Sequence, residues 1–229
     1  EFRRVLFRSS KVWSVPVKWL WPGRIPLGKI TLLAGDPGVG KSRLAVDLAA
    51  RVSAGLPWPD DPPGTTRYAS NVILFTAEDC PDEGVLGWLK EAGADLDRVF
   101  SFESVGRRWR NVRKHATRPF RIPDDVPGLE AVLQNREPVG LVVIDTLADY
   151  WGGNGTNHNA QVREMLAPLI DVANRRNTAI LCLSHLNKSS GIAGLYRMMG
   201  SLAFTALARS VWGVARAPND PERRLFLPV

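Results

Sequence analysis

The sequence predicts an α/β fold: a mostly parallel, twisted sheet with helices on both faces. Two observations carry this. Short apolar runs of strand length alternate with segments of helical spacing, the order that specifies parallel strands joined by helical crossovers. The chain has 229 residues, 45% hydrophobic and 23% charged, which suits one α/β domain with a substantial core.

The elements follow in order. Lys11 to Gly28 is rich in tryptophan and proline and reads as an irregular entry segment, its tryptophans packing onto the core or a neighbouring subunit. Lys29–Ala34 (KITLLA) is a buried strand. Lys41–Val52 has Leu44, Ala45, Leu48 and Ala49 on one helical face. Gly55–Gly64, with four prolines, is a loop. Asn71–Ala77 (NVILFTA) is the second strand and Pro81–Ala92 a helix opened by proline and acidic residues. Val99–Val105 is a third strand, Gly106–Arg121 a basic excursion and Pro127–Gln134 a short helix. Val139–Asp145 (VGLVVID) is a strong buried strand, Ala160–Asn174 an amphipathic helix and Thr178–Ser184 (TAILCLS) another buried strand. Met198–Ala208 is helical, and Ser210–Ala215 with Arg224–Val229 form a final strand pair. In such sheets ligands sit at the carboxyl ends of the strands, where every polar residue singled out below is expected to lie.

No apolar run approaches the roughly 18 residues that span a bilayer, so no membrane partner is expected. No secretory signal is visible, and of two cysteines Cys182 sits in an apolar strand pattern as a buried thiol; the expected location is cytoplasmic. Glu1–Ser9 (EFRRVLFRS) back-translates naturally into a common sequencing-library adapter and is expected to be translated adapter, in a metagenomic gene fragment. It holds three arginines and one glutamate, so without it the formal charge falls from +7 to +5. The expected organisation is adapter over residues 1–9, entry segment over 10–28 and one nucleotide-binding domain over 29–229, truncated at its C-terminus.

The most specific motif is Gly35-Asp36-Pro37-Gly38-Val39-Gly40-Lys41-Ser42, a G-x-x-x-x-G-K-[ST] phosphate loop between a buried strand and a helix. Its glycines let the backbone curl so that successive N–H groups face the phosphates, and the helix adds its positive N-terminal end. Lys41 is expected on the β- and γ-phosphates and Ser42 on Mg²⁺, with ATP as the nucleotide. Pro37 stiffens the loop. Leu141–Asp145 is an apolar strand ending in an acid, the Walker B pattern, whose carboxylate holds Mg²⁺ through water. Hydrolysis also needs a group to orient or deprotonate water. Thr146 cannot do so. Glu78, ending the second strand, is the expected base, and would face the γ-phosphate if its strand neighbours the phosphate-loop strand. The alternative is that Glu78, Asp79, Asp82 and Glu83 only complement a helix dipole.

Several motifs together resemble the RecA-like AAA family ATPases grouped with plasmid RepA-type and DnaB-like hexameric replicative helicases. They are Trp19–Lys29 running into GDPGVGKS, FTAED at Phe75–Asp79, LVVIDTL at Leu141–Leu147, SHLNKSSG at Ser184–Gly191 and GSLAFTALAR at Gly200–Arg209. The resemblance covers about Val15 to Val229. It implies a RecA-like P-loop fold and a catalytic carboxylate at Glu78. It also implies a γ-phosphate-sensing residue at His185 and an arginine, Arg209, that projects into the neighbouring subunit's site of a hexamer. From chemistry alone His185 could cap a strand and Arg209 could form a local salt bridge.

Arg107–Arg121 (RRWRNVRKHATRPFR) has seven arginines or lysines with Trp109 and Phe120 interleaved. It reads either as a phosphate-tracking surface with a stacking aromatic or as a solvated arm. By resemblance, contacts to single-stranded DNA would come from Tyr150–Asn159 and Asn187–Gly200. The expected function is an ATP-hydrolysing motor domain, a DNA helicase or helicase-like replication ATPase. The alternative is an ATP-gated oligomeric switch, loader or recombinase-like scaffold with little turnover. A small-molecule kinase is a distant third reading, since no acceptor lid is visible.

Overall fold

A computed structural model describes residues 16–76, 84–102, 105–106, 117–151, 159–186 and 202–229. The strands are β1 (Trp19–Trp21), β2 (Ile25–Pro26), β3 (Ile30–Gly35), β4 (Asn71–Thr76), β5 (Val99–Phe102), β6 (Val105–Gly106), β7 (Thr117–Arg118), β8 (Val139–Asp145), β9 (Ala179–His185), β10 (Ser210–Ala217) and β11 (Asp220–Pro228). The helices are α1 (Lys41–Ala54), α2 (Leu86–Glu91), α3 (Val126–Asn135), α4 (Asn159–Arg176) and α5 (Leu202–Leu207).

The central sheet runs β11-β10-β3-β9-β8-β4-β5, parallel throughout except for the antiparallel β10–β11 pair. Its strands read as continuous apolar runs because successive side chains enter different cores. Along β8, Leu141 and Val143 join α1 and α2 on one face, whereas Val142 and Ile144 join α3 and α4 on the other. Cys182 is fully buried on the second face, and burial pushes its thiol up to about 12.

The structure refines several boundaries. The entry segment holds the short antiparallel pair β1–β2, whose Trp21 stacks on Trp58 at 5.0 Å and on Phe226 at 5.6 Å. The tryptophans of this region therefore divide: Trp21 is core, while Trp19 stays 38% exposed. The described part of the expected 81–92 helix begins as a π-turn at Gly84–Val85 and becomes α-helix only at Leu86. The third strand stops at Phe102; Val105–Gly106 pairs instead with Thr117–Arg118. Phe120 is 2% exposed and packs against Phe75, Phe102 and Tyr150, so it is a core ring and unavailable to stack on a nucleic-acid base. Trp109 lies outside the described residues.

Candidate functional site: a phosphate loop at the head of the sheet

β3 delivers the chain to the centre of the sheet's carboxyl edge and α1 takes it back. Between them the loop turns on Gly38 (φ 72°) and Gly40 (φ 97°), left-handed conformations that glycine adopts at little cost. Among the described residues nothing lies within 4 Å of where a Cβ would stand on either residue. Gly35 is constrained by contact instead: an added Cβ would lie 2.5 Å from the Val214 carbonyl oxygen. Val39, 5% exposed, roots the loop in the core. Gly40 caps α1 without a side-chain hydrogen bond and no acidic residue occupies the first turn, which leaves the helix's N–H end suited to an anion.

Lys41 is 5% exposed, and its ammonium donates to the carbonyls of Gly35 and Asp36, each at 3.0 Å. It also lies 3.2 Å from His185 Nδ1. The β3–β9 register, which pairs Gly35 with His185, brings these two groups together. An ammonium only donates, so a hydrogen bond here makes Nδ1 the acceptor and selects the tautomer with its N–H at Nε2. His185 thereby offers an N–H donor beside the loop. Lys41, Ser42, Arg43, Trp88 and His185 line a cleft of about 510 Å³ with the loop.

Asp145 ends β8 and pairs in register with Thr76 of β4. Past it, Thr146 donates through its backbone N–H (3.1 Å) and hydroxyl (2.6 Å) to the Asp149 carboxylate, which closes a 3-10 turn over Leu147–Tyr150. Burial first, then the carboxylates of Asp149 and Asp145, raise the Tyr150 phenol and keep it protonated. The open glycine cradle, buried ammonium, Ser42 hydroxyl and Asp145 carboxylate fit a nucleoside triphosphate with Mg²⁺. The described residues hold no cluster of three His, Cys, Asp or Glu able to bind a metal. A phosphate-loop Mg²⁺ needs none, since it draws its ligands from a hydroxyl, water and the nucleotide's own phosphates.

Two expectations about placement change. The Glu78 strand does not neighbour the phosphate-loop strand: β9 and β8 intervene between β3 and β4. Glu78 itself lies outside the described residues. The last described residue of that strand, Thr76, pairs with Asp145. Arg209 is not at a carboxyl end. Its backbone N–H donates to Ile30 O at 2.9 Å, and Ser210 pairs with Thr31, so Arg209 lies at the amino end of β10 with its side chain exposed. Gly35 is five residues further along β3, about 16 Å at strand rise, beyond one side chain's reach.

Sequence reasoning passed over Arg43 and Trp88. The Arg43 guanidinium lies 4.7 Å from the Trp88 ring centroid and pairs with Glu91 at 3.0 Å, walling the cleft. The final strand pair was expected and forms as the β10–β11 hairpin, but not its place beside the loop: Val214, Glu222, Arg224 and Phe226 bound a second cleft of about 500 Å³ beside Gly38–Gly40. Arg43 follows the loop directly, whereas Trp88 reaches it on α2 packed against α1 and the hairpin reaches it through β10 beside β3. Of the loops expected on DNA, residues 152–158 and 187–200 lie outside the described set, and Tyr150 is buried.

Residues 1–191 match the family model described as an AAA domain. This chain belongs to the AAA domain family. With the parallel sheet and the phosphate loop, that makes this AAA domain a RecA-like P-loop ATPase. It is 25% identical over 175 residues to the DNA repair protein RadA of Bacillus subtilis (strain 168), a match covering 75% of this chain and 31% of that protein. The DNA repair protein RadA of Rickettsia bellii (strain RML369-C) is 26% identical over 175 residues, covering 75% and 32%. The AAA domain thus spans about a third of the length of these relatives. No helix among its described residues is long and apolar enough to cross a membrane.

Proposed function

We propose that this AAA domain binds Mg·ATP at Gly35–Ser42, hydrolyses it, and uses the cycle in a homo-oligomeric, ring-forming motor on single-stranded DNA. The observation that carries the reading is the junction of Lys41, His185 and the glycine cradle at the sheet's carboxyl edge. Lys41 holds the β- and γ-phosphates, the His185 Nε2–H donates to the γ-phosphate, and Ser42 and Asp145 hold Mg²⁺. Glu78 orients the attacking water. Mg²⁺ held there would supply positive charge to the phosphate oxygens. Arg209 completes the site of a neighbouring chain, where a cation facing the transferring phosphoryl group accelerates hydrolysis by roughly 10³–10⁵.

The relatives' description as DNA repair proteins supports work on DNA. It also keeps alive the second reading, an ATP-gated loader or recombinase-like scaffold, in which assembly matters more than turnover. Steady-state hydrolysis measured against protein concentration, with and without single-stranded DNA, separates the two. A motor gives turnover per chain that rises with concentration and with DNA; a switch gives nucleotide-bound assemblies that scarcely turn over. Lys41→Ala is expected to remove nucleotide binding or turnover, and wild-type hydrolysis in that variant would sink the site assignment.

A further inference from the structure

The exposed Arg209 follows a short helix with a traceable connection to the strand end that carries Asp145. α5 spans Leu202–Leu207 and precedes Arg209 by two residues, with Ala208 N–H donating to Phe204 O at 3.1 Å. Phe204, 2% exposed, faces Trp151, with ring centroids 5.3 Å apart and planes tilted by 54°. Trp151 closes the turn that starts directly after Asp145, and its N–H donates to Ala148 O at 3.3 Å. Its indole Nε1–H is buried with no hydrogen-bond partner among the described residues.

We propose that Phe204, seated on Trp151, is a positioning residue for Arg209: the ring contact sets where α5 lies and so where the arginine is presented to a neighbouring chain. This rests on the reading that Arg209 acts in trans. The dependence runs in one direction. The Asp145 turn is held without Phe204, by the Thr146–Asp149 hydrogen bonds and by Ile122 N–H donating to Tyr150 O at 2.8 Å. Arg209 has fewer restraints: its own N–H on Ile30 O, the strand pairing that begins at Ser210, and α5 behind it. Removing the Phe204 ring therefore displaces Arg209 and leaves the chain's own phosphate and metal groups in place. A misplacement of about 1 Å at a reacting centre can cost up to roughly a hundredfold in rate.

Mixed assemblies test this. Lys41→Ala chains keep Arg209 but have a silent site; Arg209→Ala chains keep a working site but lack the arginine. Mixing them, with co-assembly checked by native mass spectrometry, restores hydrolysis wherever the first chain serves the second. Adding Phe204→Leu, which keeps an apolar side chain in the core and removes the ring, to the Lys41→Ala donor is expected to lower the restored kcat roughly tenfold or more with KM little changed. The same change in the Arg209→Ala acceptor is expected to leave restored turnover within about twofold, because the acceptor's own arginine is not in use. Trp151→Phe in the donor keeps a ring under Phe204 and should retain the rate. Equal loss in donor and acceptor would mean a merely structural role, and no loss in either would mean Phe204 does not position the arginine; both overturn the proposal. Failure of the first mixture to recover any turnover overturns the in-trans reading itself, and the positioning role with it, at a step that Phe204 does not touch.

Discussion

Gly35 carries two constraints at once. It ends the strand that carries the phosphate loop, and it lets β10 approach: an added Cβ would meet Val214 O at 2.5 Å and Val39 Cγ2 at 3.0 Å. The first neighbour is backbone in a parallel ladder and cannot swing aside. Gly35→Ala must therefore push β3 from β10 or tilt the loop, a strain of about 1–3 kcal/mol by comparison with other overpacked cores. Urea unfolding should show that loss, and nucleotide affinity should fall with it, since Gly35 O is one of the carbonyls that holds Lys41. Unchanged stability would mean that the strands separate freely at this point. Gly38 and Gly40 differ, because their positive φ and open surroundings place the cost of substitution in backbone conformation rather than in contact. The sequence motif names all three glycines alike; only the fold separates the one pressed against a neighbouring strand from the two that bend the loop.

Among elements, the β1–β2 hairpin shows how little of an aromatic cluster can be read from spacing. Trp58, Trp21, Phe226 and Trp212 form one stacked series with centroid steps of 5.0, 5.6 and 4.5 Å, yet they come from four separate stretches of the chain. Long apolar strands such as Val139–Asp145 were legible because burial on both faces leaves an unbroken run. The phosphate loop was legible because its residues are contiguous. The three-residue β1, the β10–β11 wall of the second cleft and the burial of Phe120 were not, since each depends on partners distant in sequence. The hairpin also makes a pH prediction. The Trp21 indole N–H, 2.7 Å from Asp60, is the main influence holding that carboxyl below its ordinary range, against the opposing effect of burial and with help from Arg24. Its folded value lies below its unfolded one, so the carboxylate stabilises the fold above the unfolded value, and the contribution is lost as pH falls through the folded value. Trp21→Phe keeps the stacking ring and removes the donor. The stability gap between wild type and this variant should therefore hold above about pH 5 and narrow as pH falls through about 4 and below. A gap that stays constant across that window would show that the hydrogen bond does not set the titration.

At the scale of the molecule, one sheet separates two apolar cores, and its strands supply both. Val72, Leu74, Leu141 and Val143 face α1 and α2, whereas Ile73, Phe75, Val142 and Ile144 face α3 and α4. Neither core can melt without exposing the back of the other, so a single cooperative transition is expected. The phosphate loop is anchored in this shared sheet through β3 and Val39, so a ligand there stabilises the whole unit by RT ln(1 + [L]/Kd). Mg·ATP at about one hundred times its Kd should add about 2.7 kcal/mol and raise the melting temperature by several degrees. Lys41→Ala should abolish that shift at the same nucleotide concentration. Arg209→Ala should preserve it in dilute protein, because Arg209 lies at the amino end of β10, away from its own loop. At concentrations where chains assemble, Arg209→Ala should melt at the dilute value plus only what assembly adds, while its hydrolysis stays low. Loss of the nucleotide shift in dilute Arg209→Ala would place the arginine in its own chain's site and contradict the strand register that sets it beside Ile30.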